Sequence, residues 1–215
     1  MRGFEKKSQI MAALAFFLIS GSPFAQIDRQ KGVLEAENAN EARLNRLQPP
    51  DQVMDAIGLK PGMTVAEIGA GRGRYVVQLA VRVGEEGRVY AEDISARSLE
   101  HLKQRCERWG LTNVETILGE VTDPKLPRGE LDLVFIISSY HHFQDPVALM
   151  RSARPALKPN GLVAIGEWLP RDSGGSEYRT PARIEEEMRK AGYRLERIET
   201  FLQKNNMNIY IFRRL

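Results

Sequence analysis

Glu67 and Ile68 are followed by glycines at alternate positions, Gly69, Gly71 and Gly73, with Ala70 between the first two. Glycine lets a chain turn sharply and lets a ligand approach the backbone where a Cβ would otherwise stand. A helix that begins just beyond such a turn directs its free N–H groups at the same ligand. The chemistry suggested is binding of a nucleotide-type cofactor. The G-x-G-x-x-G spacing of dinucleotide loops is not met, because Arg74 occupies its third glycine position and Gly73 comes one residue early. Two acids, Glu92 and Asp93, end the next apolar run. Asp93 lies 24 residues beyond Gly69, near the spacing at which a strand-end carboxylate hydrogen-bonds ribose hydroxyls, and Glu92 competes for that role.

A second cluster with chemical capacity is Tyr140-His141-His142, which follows a buried-strand run. Imidazole titrates near neutral pH, so His141 or His142 is a candidate general base, with Tyr140 as partner or pocket wall. Metal binding is not indicated. The two histidines are neighbours rather than a helix-spaced pair, and His101 is the only other one.

The elements that must position these groups alternate. Strands are predicted at 64–68, 88–93, 114–118, 131–138 and 162–167, with helices at 74–83, 96–109, 146–157 and 181–191. Leu157-Lys158-Pro159-Asn160-Gly161 reads as a helix end and turn, and residues 194–202 and 208–212 as a closing hairpin. This alternation predicts an α/β fold with a mostly parallel sheet and helices on both faces. One domain is the natural count for 215 residues.

The loop Glu67-x-Gly69-x-Gly71-x-Gly73 resembles motif I of the class I S-adenosylmethionine-dependent methyltransferases. Four further segments resemble that family in the same order. They are the strand ending at Asp93-Ile94, the tripeptide Gly119-Glu120-Val121, the acid-led strand from Leu131, and Leu157 to Gly161 with the strand beyond it. Together they cover roughly residues 47–168. The resemblance implies a Rossmann-like, doubly wound, seven-stranded sheet with its last strand antiparallel. It also implies S-adenosylmethionine as cofactor, bound by Glu67, Gly69, Ala70, Gly71, Gly73, Asp93, Ile94, Glu120 and Val121. The reaction implied is in-line methyl transfer, in which holding nucleophile and methyl together supplies much of the rate. No Asn-Pro-Pro-Tyr-like segment follows the fourth strand and no Pro-Cys pair occurs. By elimination, a small-molecule or lipid-like acceptor is expected. A binding module that kept the fold without turnover is the alternative. A nicotinamide-dependent short-chain reductase is weaker still, since no tyrosine has a lysine four residues later.

Arg2, Lys6 and Lys7 precede an apolar run over residues 10–19, followed by small residues up to Ala25. This pattern predicts a secretory signal peptide over residues 1–25 and export to the periplasm or beyond. The run is about half the ~20 residues needed to span a bilayer, so no stable membrane span is expected in the mature chain. Residues 26–60 read as a helical cover segment and 61–215 as the methyltransferase domain. The chain carries 31 basic and 28 acidic side chains, of which three and one fall in residues 1–25. The near-neutral remainder gives no electrostatic reason to expect nucleic-acid binding. Cys106 is the only cysteine, so an intrachain disulfide is impossible.

Overall fold

The computed structural model describes residues 35–170 and 178–215. The predicted signal peptide therefore lies outside the described residues. Seven strands form one sheet: β1 (Thr64–Ile68), β2 (Arg88–Asp93), β3 (Val114–Leu118), β4 (Leu131–Ile137), β5 (Leu157–Trp168), β6 (Tyr193–Glu199) and β7 (Met207–Arg214). Their order is β3-β2-β1-β4-β5-β7-β6. β1 to β5 pair in parallel, and β7 runs antiparallel between β5 and β6. The doubly wound sheet expected from the sequence is present, with its last strand antiparallel.

Among the described residues six α-helices accompany it: α1 (Ala39–Leu47), α2 (Pro50–Ala56), α3 (Val76–Val83), α4 (Ala96–Trp109), α5 (Pro146–Ala153) and α6 (Pro181–Lys190). Local chemistry explains their starts. Ser95, Asp145 and Thr180 accept N–H bonds at the N-caps of α4, α5 and α6, and proline opens α5 and α6. Alternate strand residues feed two cores. Val65, Leu133, Phe135, Ile209 and Ile211 pack with α2, α3 and α4, whereas Ala66, Val134, Ile136, Tyr210 and Phe212 pack with α5 and α6. Both faces are thus covered, as a parallel sheet requires.

The described residues before β1 contribute to this core. Val53 and Met54 of α2 are fully buried, and Glu41 of α1 meets Arg105 of α4 through two hydrogen bonds of 2.7 and 2.9 Å. One expected element differs. Leu157 to Gly161 is not a helix end; β5 begins at Leu157, which pairs with Leu131, and the register then shifts so that Leu133 meets Leu162. Gly161 makes this possible, because a Cβ there would lie 2.7 Å from the Leu131 carbonyl oxygen.

Candidate active site

The carboxyl ends of β3, β2, β1 and β4 stand side by side, and one cavity of about 340 Å³ opens above them. That edge, at the reversal of strand order between β1 and β4, is where open α/β sheets bind ligands. Gly69, Glu92, Asp93, Ile94, Glu120 and Val121 form one wall. Ser138, Ser139, His142, Phe143 and Gln144 form the other.

The glycine loop is pinned to β2. The Gly69 and Ala70 N–H groups donate to the Glu92 carbonyl at 2.9 and 2.8 Å, and the Gly71 N–H donates to Asp93 Oδ2 at 2.8 Å. All three glycines have positive φ, at +76°, +54° and +81°. Their surroundings separate them. A Cβ on Gly69 would lie 2.8 Å from Ser139 Cβ and Oγ, on the cavity wall. One on Gly71 would meet no protein atom within 4 Å. One on Gly73 would strike Leu102 Cδ1 at 2.2 Å, so Gly73 lets α4 pack rather than lining the cavity. Gly73→Ala should therefore destabilise the chain by about 2–4 kcal/mol, and Gly71→Ala by about 1–2 kcal/mol. Urea midpoints decide; equal losses would remove the distinction.

Two buried carboxyls flank the loop. Glu67 is 3% exposed, its Oε2 lacks a hydrogen-bond partner, and burial pushes its pKa up to about 8, countered in part by Arg74. Burial also raises Glu92 to about 8. Its carboxyl rests on Gly119, where a Cβ would lie 1.8 Å from Oε1. Asp93 uses Oδ1 to accept the Ser95 N–H at 2.8 Å, which aims its carboxylate along the cavity wall. Ile94 and Val121 are 61% and 40% exposed and form an apolar rim, while Glu120 pairs with Lys125 at 2.6 Å. Glu67, Ala70 and Gly71 stand at the loop without lining the cavity.

The histidine cluster divides. Tyr140 is fully buried among the residues of the α5/α6 core, and burial holds its phenol far above the usual range. It stands in that core and does not line the cavity. His142 reaches the cavity. His141 stands behind it, ring centroids 3.9 Å apart, with Nδ1 at 3.0 Å from both oxygens of fully buried Glu167. Glu167 also accepts the His141 N–H at 3.0 Å and the Trp168 N–H at 2.8 Å. Arg179 holds this turn from beneath, donating to the carbonyls of Tyr140 and Phe143 at 2.8 Å each. Arg179 carries no motif that would have announced it. Gln144 and Leu149, also on the cavity wall, were equally silent in the sequence. Among the described residues no cluster of three or more His, Cys, Asp or Glu could hold a metal ion.

Strand order, switch-point cavity and glycine loop define an α/β protein built for a nucleoside-bearing cofactor. The particular family follows from comparison: the chain belongs to the family described as "Methyltransferase domain", whose model matches residues 59–212. It is 31% identical over 115 residues to the nocamycin O-methyltransferase of Saccharothrix syringae, covering 53% of this chain and 41% of that protein. It is likewise 31% identical over 109 residues to a 2-phytyl-1,4-naphtoquinone methyltransferase of Trichormus variabilis, covering 50% of this chain and 48% of that one. The chain thus spans less than half the length of these curated relatives. Among solved structures, a SAM-dependent methyltransferase from Aquifex aeolicus superposes with a TM-score of 0.72 at 27% identity, covering 83% of this chain and 98% of that one.

Proposed function

We propose that this chain is a methyltransferase that uses S-adenosylmethionine to methylate a small-molecule acceptor. The observation that carries the reading is the switch-point cavity, which gathers Gly69 of the glycine loop, two strand-end acids and an imidazole on facing walls. The residues present fit the cofactor. In this reading Asp93, Ile94 and Val121, all on the cavity wall, take the ribose hydroxyls and the faces of adenine, and Glu67, which stands off that wall with its Oε2 unpartnered, takes the cationic amino group. S-adenosylmethionine supplies the electrophilic methyl group. The protein binds and orients the reactants, keeps water out, and receives the acceptor's proton where there is one. Relatives named for methylation of nocamycin and of a phytyl naphthoquinone favour an apolar, lipid-like acceptor over a nucleic acid.

His141 and His142 are the proton acceptors in this reading. A carboxylate only accepts hydrogen bonds, so Glu167 keeps the His141 proton on Nδ1 and leaves Nε2 as the basic nitrogen. His142, at the wall itself, contacts the acceptor side. Removing the operative histidine should lower kcat with cofactor affinity and the urea midpoint unchanged, whereas loss of a packing residue would lower the midpoint as well.

The decisive experiment is calorimetry with S-adenosylmethionine on the wild type and Asp93→Ala. Micromolar binding weakened by about 1.5–3 kcal/mol in the variant is expected. No binding by the wild type sinks the reading, and binding without turnover across quinol, phenol and amine acceptors leaves only a binding module. Export to the periplasm belongs to the same proposal, on the basic and apolar pattern of residues 1–25. Sequencing the mature N-terminus from the extracytoplasmic fraction tests it, and an intact Met1 there or a purely cytoplasmic chain would overturn it.

A further inference from the structure

Ser138 ends the β4 side of the cavity with φ of +54°, a backbone region that L side chains rarely occupy. Such a conformation persists only where the surroundings over-determine it. Two bonds do so here. The Ser138 N–H donates to the Gly166 carbonyl at 2.8 Å, and Ser138 Oγ accepts from Gln48 Nε2 at 2.8 Å. Gln48 comes from the C-terminal cap of α1, 90 residues away in sequence, and is fully buried. All of its polar groups are committed. Its Oε1 accepts from Arg74, its carbonyl accepts from Tyr75 OH at 2.8 Å, and its N–H donates to the Leu44 carbonyl. Arg74 in turn donates to Asn45 at 3.1 Å and lies over the Tyr75 ring at 4.4 Å.

We propose that Gln48 is a positioning residue of the cofactor site: it ties the glycine-loop side, through Arg74 and Tyr75, to Ser138 and so fixes the spacing of the two cavity walls. This rests on the reading of the cavity as a cofactor site. The tolerance is small, because Ser139 already sits 2.8 Å from where a Cβ on Gly69 would stand, and its Oγ donates to the Ile68 carbonyl at 3.3 Å. A shift at Ser138 therefore carries Ser139 into or away from the glycine loop. Gln48 precedes the residues matched by the family model, so the family domain alone lacks this brace.

The test compares full-length wild type, Ser138→Ala, Ser138→Gly, Gln48→Met and the Gln48→Met/Ser138→Gly double variant by calorimetry with adenosylhomocysteine. Ser138→Ala removes the anchored oxygen but keeps the strained Cβ, and should weaken binding about tenfold, the scale of one released backbone strain. Ser138→Gly removes the strain with the anchor and should bind within about twofold of wild type. Gln48→Met should match Ser138→Ala, and the double variant should regain the Ser138→Gly affinity. A hydroxyl that merely touched the ligand would make Ala and Gly equally weak, and that result overturns the proposal. So does a Gln48→Met protein with wild-type affinity. If the wild type binds nothing, the cavity reading fails while amide exchange still decides the brace. Exchange at the Ser138 N–H must then speed up about tenfold in Ser138→Ala, and an unchanged rate refutes it.

Discussion

Arg105→Met is expected to lower the folding free energy by about 3–5 kcal/mol. Arg105 is 1% exposed, and both its terminal nitrogens donate to Glu41, at 2.7 and 2.9 Å. Removing the guanidinium leaves a buried carboxylate without its partner, which costs more than the intact pair contributes. Burial alone would raise the Glu41 pKa, yet hydrogen bonds from Arg105 and the Glu37 N–H hold it below its ordinary 4.5. The Arg105 Nη1 also donates to the Arg72 carbonyl at 3.4 Å, so the loss reaches the glycine loop. A Glu41→Leu/Arg105→Met double variant should recover most of the loss, since apolar replacement of a whole buried pair is near neutral. Urea unfolding of the three proteins at pH 7 is the check. A single-variant loss below about 1 kcal/mol would mean that the pair is solvated.

Glu67→Gln should have the largest effect on binding, and an opposite effect on stability. Glu67 is buried with its pKa raised from 4.5 to about 8. Its folded pKa exceeds its unfolded one, so protonation favours the fold. That contribution is complete below about pH 4.5 and is lost as pH rises through about 8. The isosteric amide keeps the shape and cannot ionise, so the unliganded variant should be more stable than wild type by a few kcal/mol at pH 8, on the order set by linkage, and equal to it near pH 4. Affinity for S-adenosylmethionine should fall at least about a hundredfold, because a cationic group loses its buried counter-charge. Wild-type binding near pH 7 should release a proton, visible as a dependence of the calorimetric heat on buffer ionisation enthalpy. Glu41 titrates in the other sense, and its stabilisation is lost as pH falls below the ordinary carboxylate range. A Glu67→Gln protein with wild-type affinity would remove Glu67 from the site.

The strands around the cavity were legible because their cause is local. β1, β2 and β3 are short apolar or β-branched runs closed by glycine or acid turns, and their bounds match those read from periodicity. β5 starts early because Gly161 fits against a carbonyl of β4, a contact between strands that no window of sequence displays. The glycine motif marked a loop whose Gly69 lines the cavity, but Gly73 makes room for a leucine on α4. The three adjacent residues Tyr140, His141 and His142 offered three candidates. Their short 3-10 turn sends Tyr140 into the core, His141 onto Glu167 and His142 to the cavity wall. Only folded geometry separates them. Gln48 and Arg105 carried no signal, since their meaning lies in partners 26 to 90 residues distant.

The position of β7 has a consequence for how the chain comes into being. β7, Met207–Arg214, follows β6 in sequence yet is inserted between β5 and β6 and pairs with both. Until those residues emerge, β5 carries a bare hydrogen-bonding rim and Tyr193 of β6 has no sheet to bury it. Emergence of β7 is thus the event that completes the sheet. A chain cut before β7 is expected to be a sticky, protease-prone fragment rather than a slightly shortened fold.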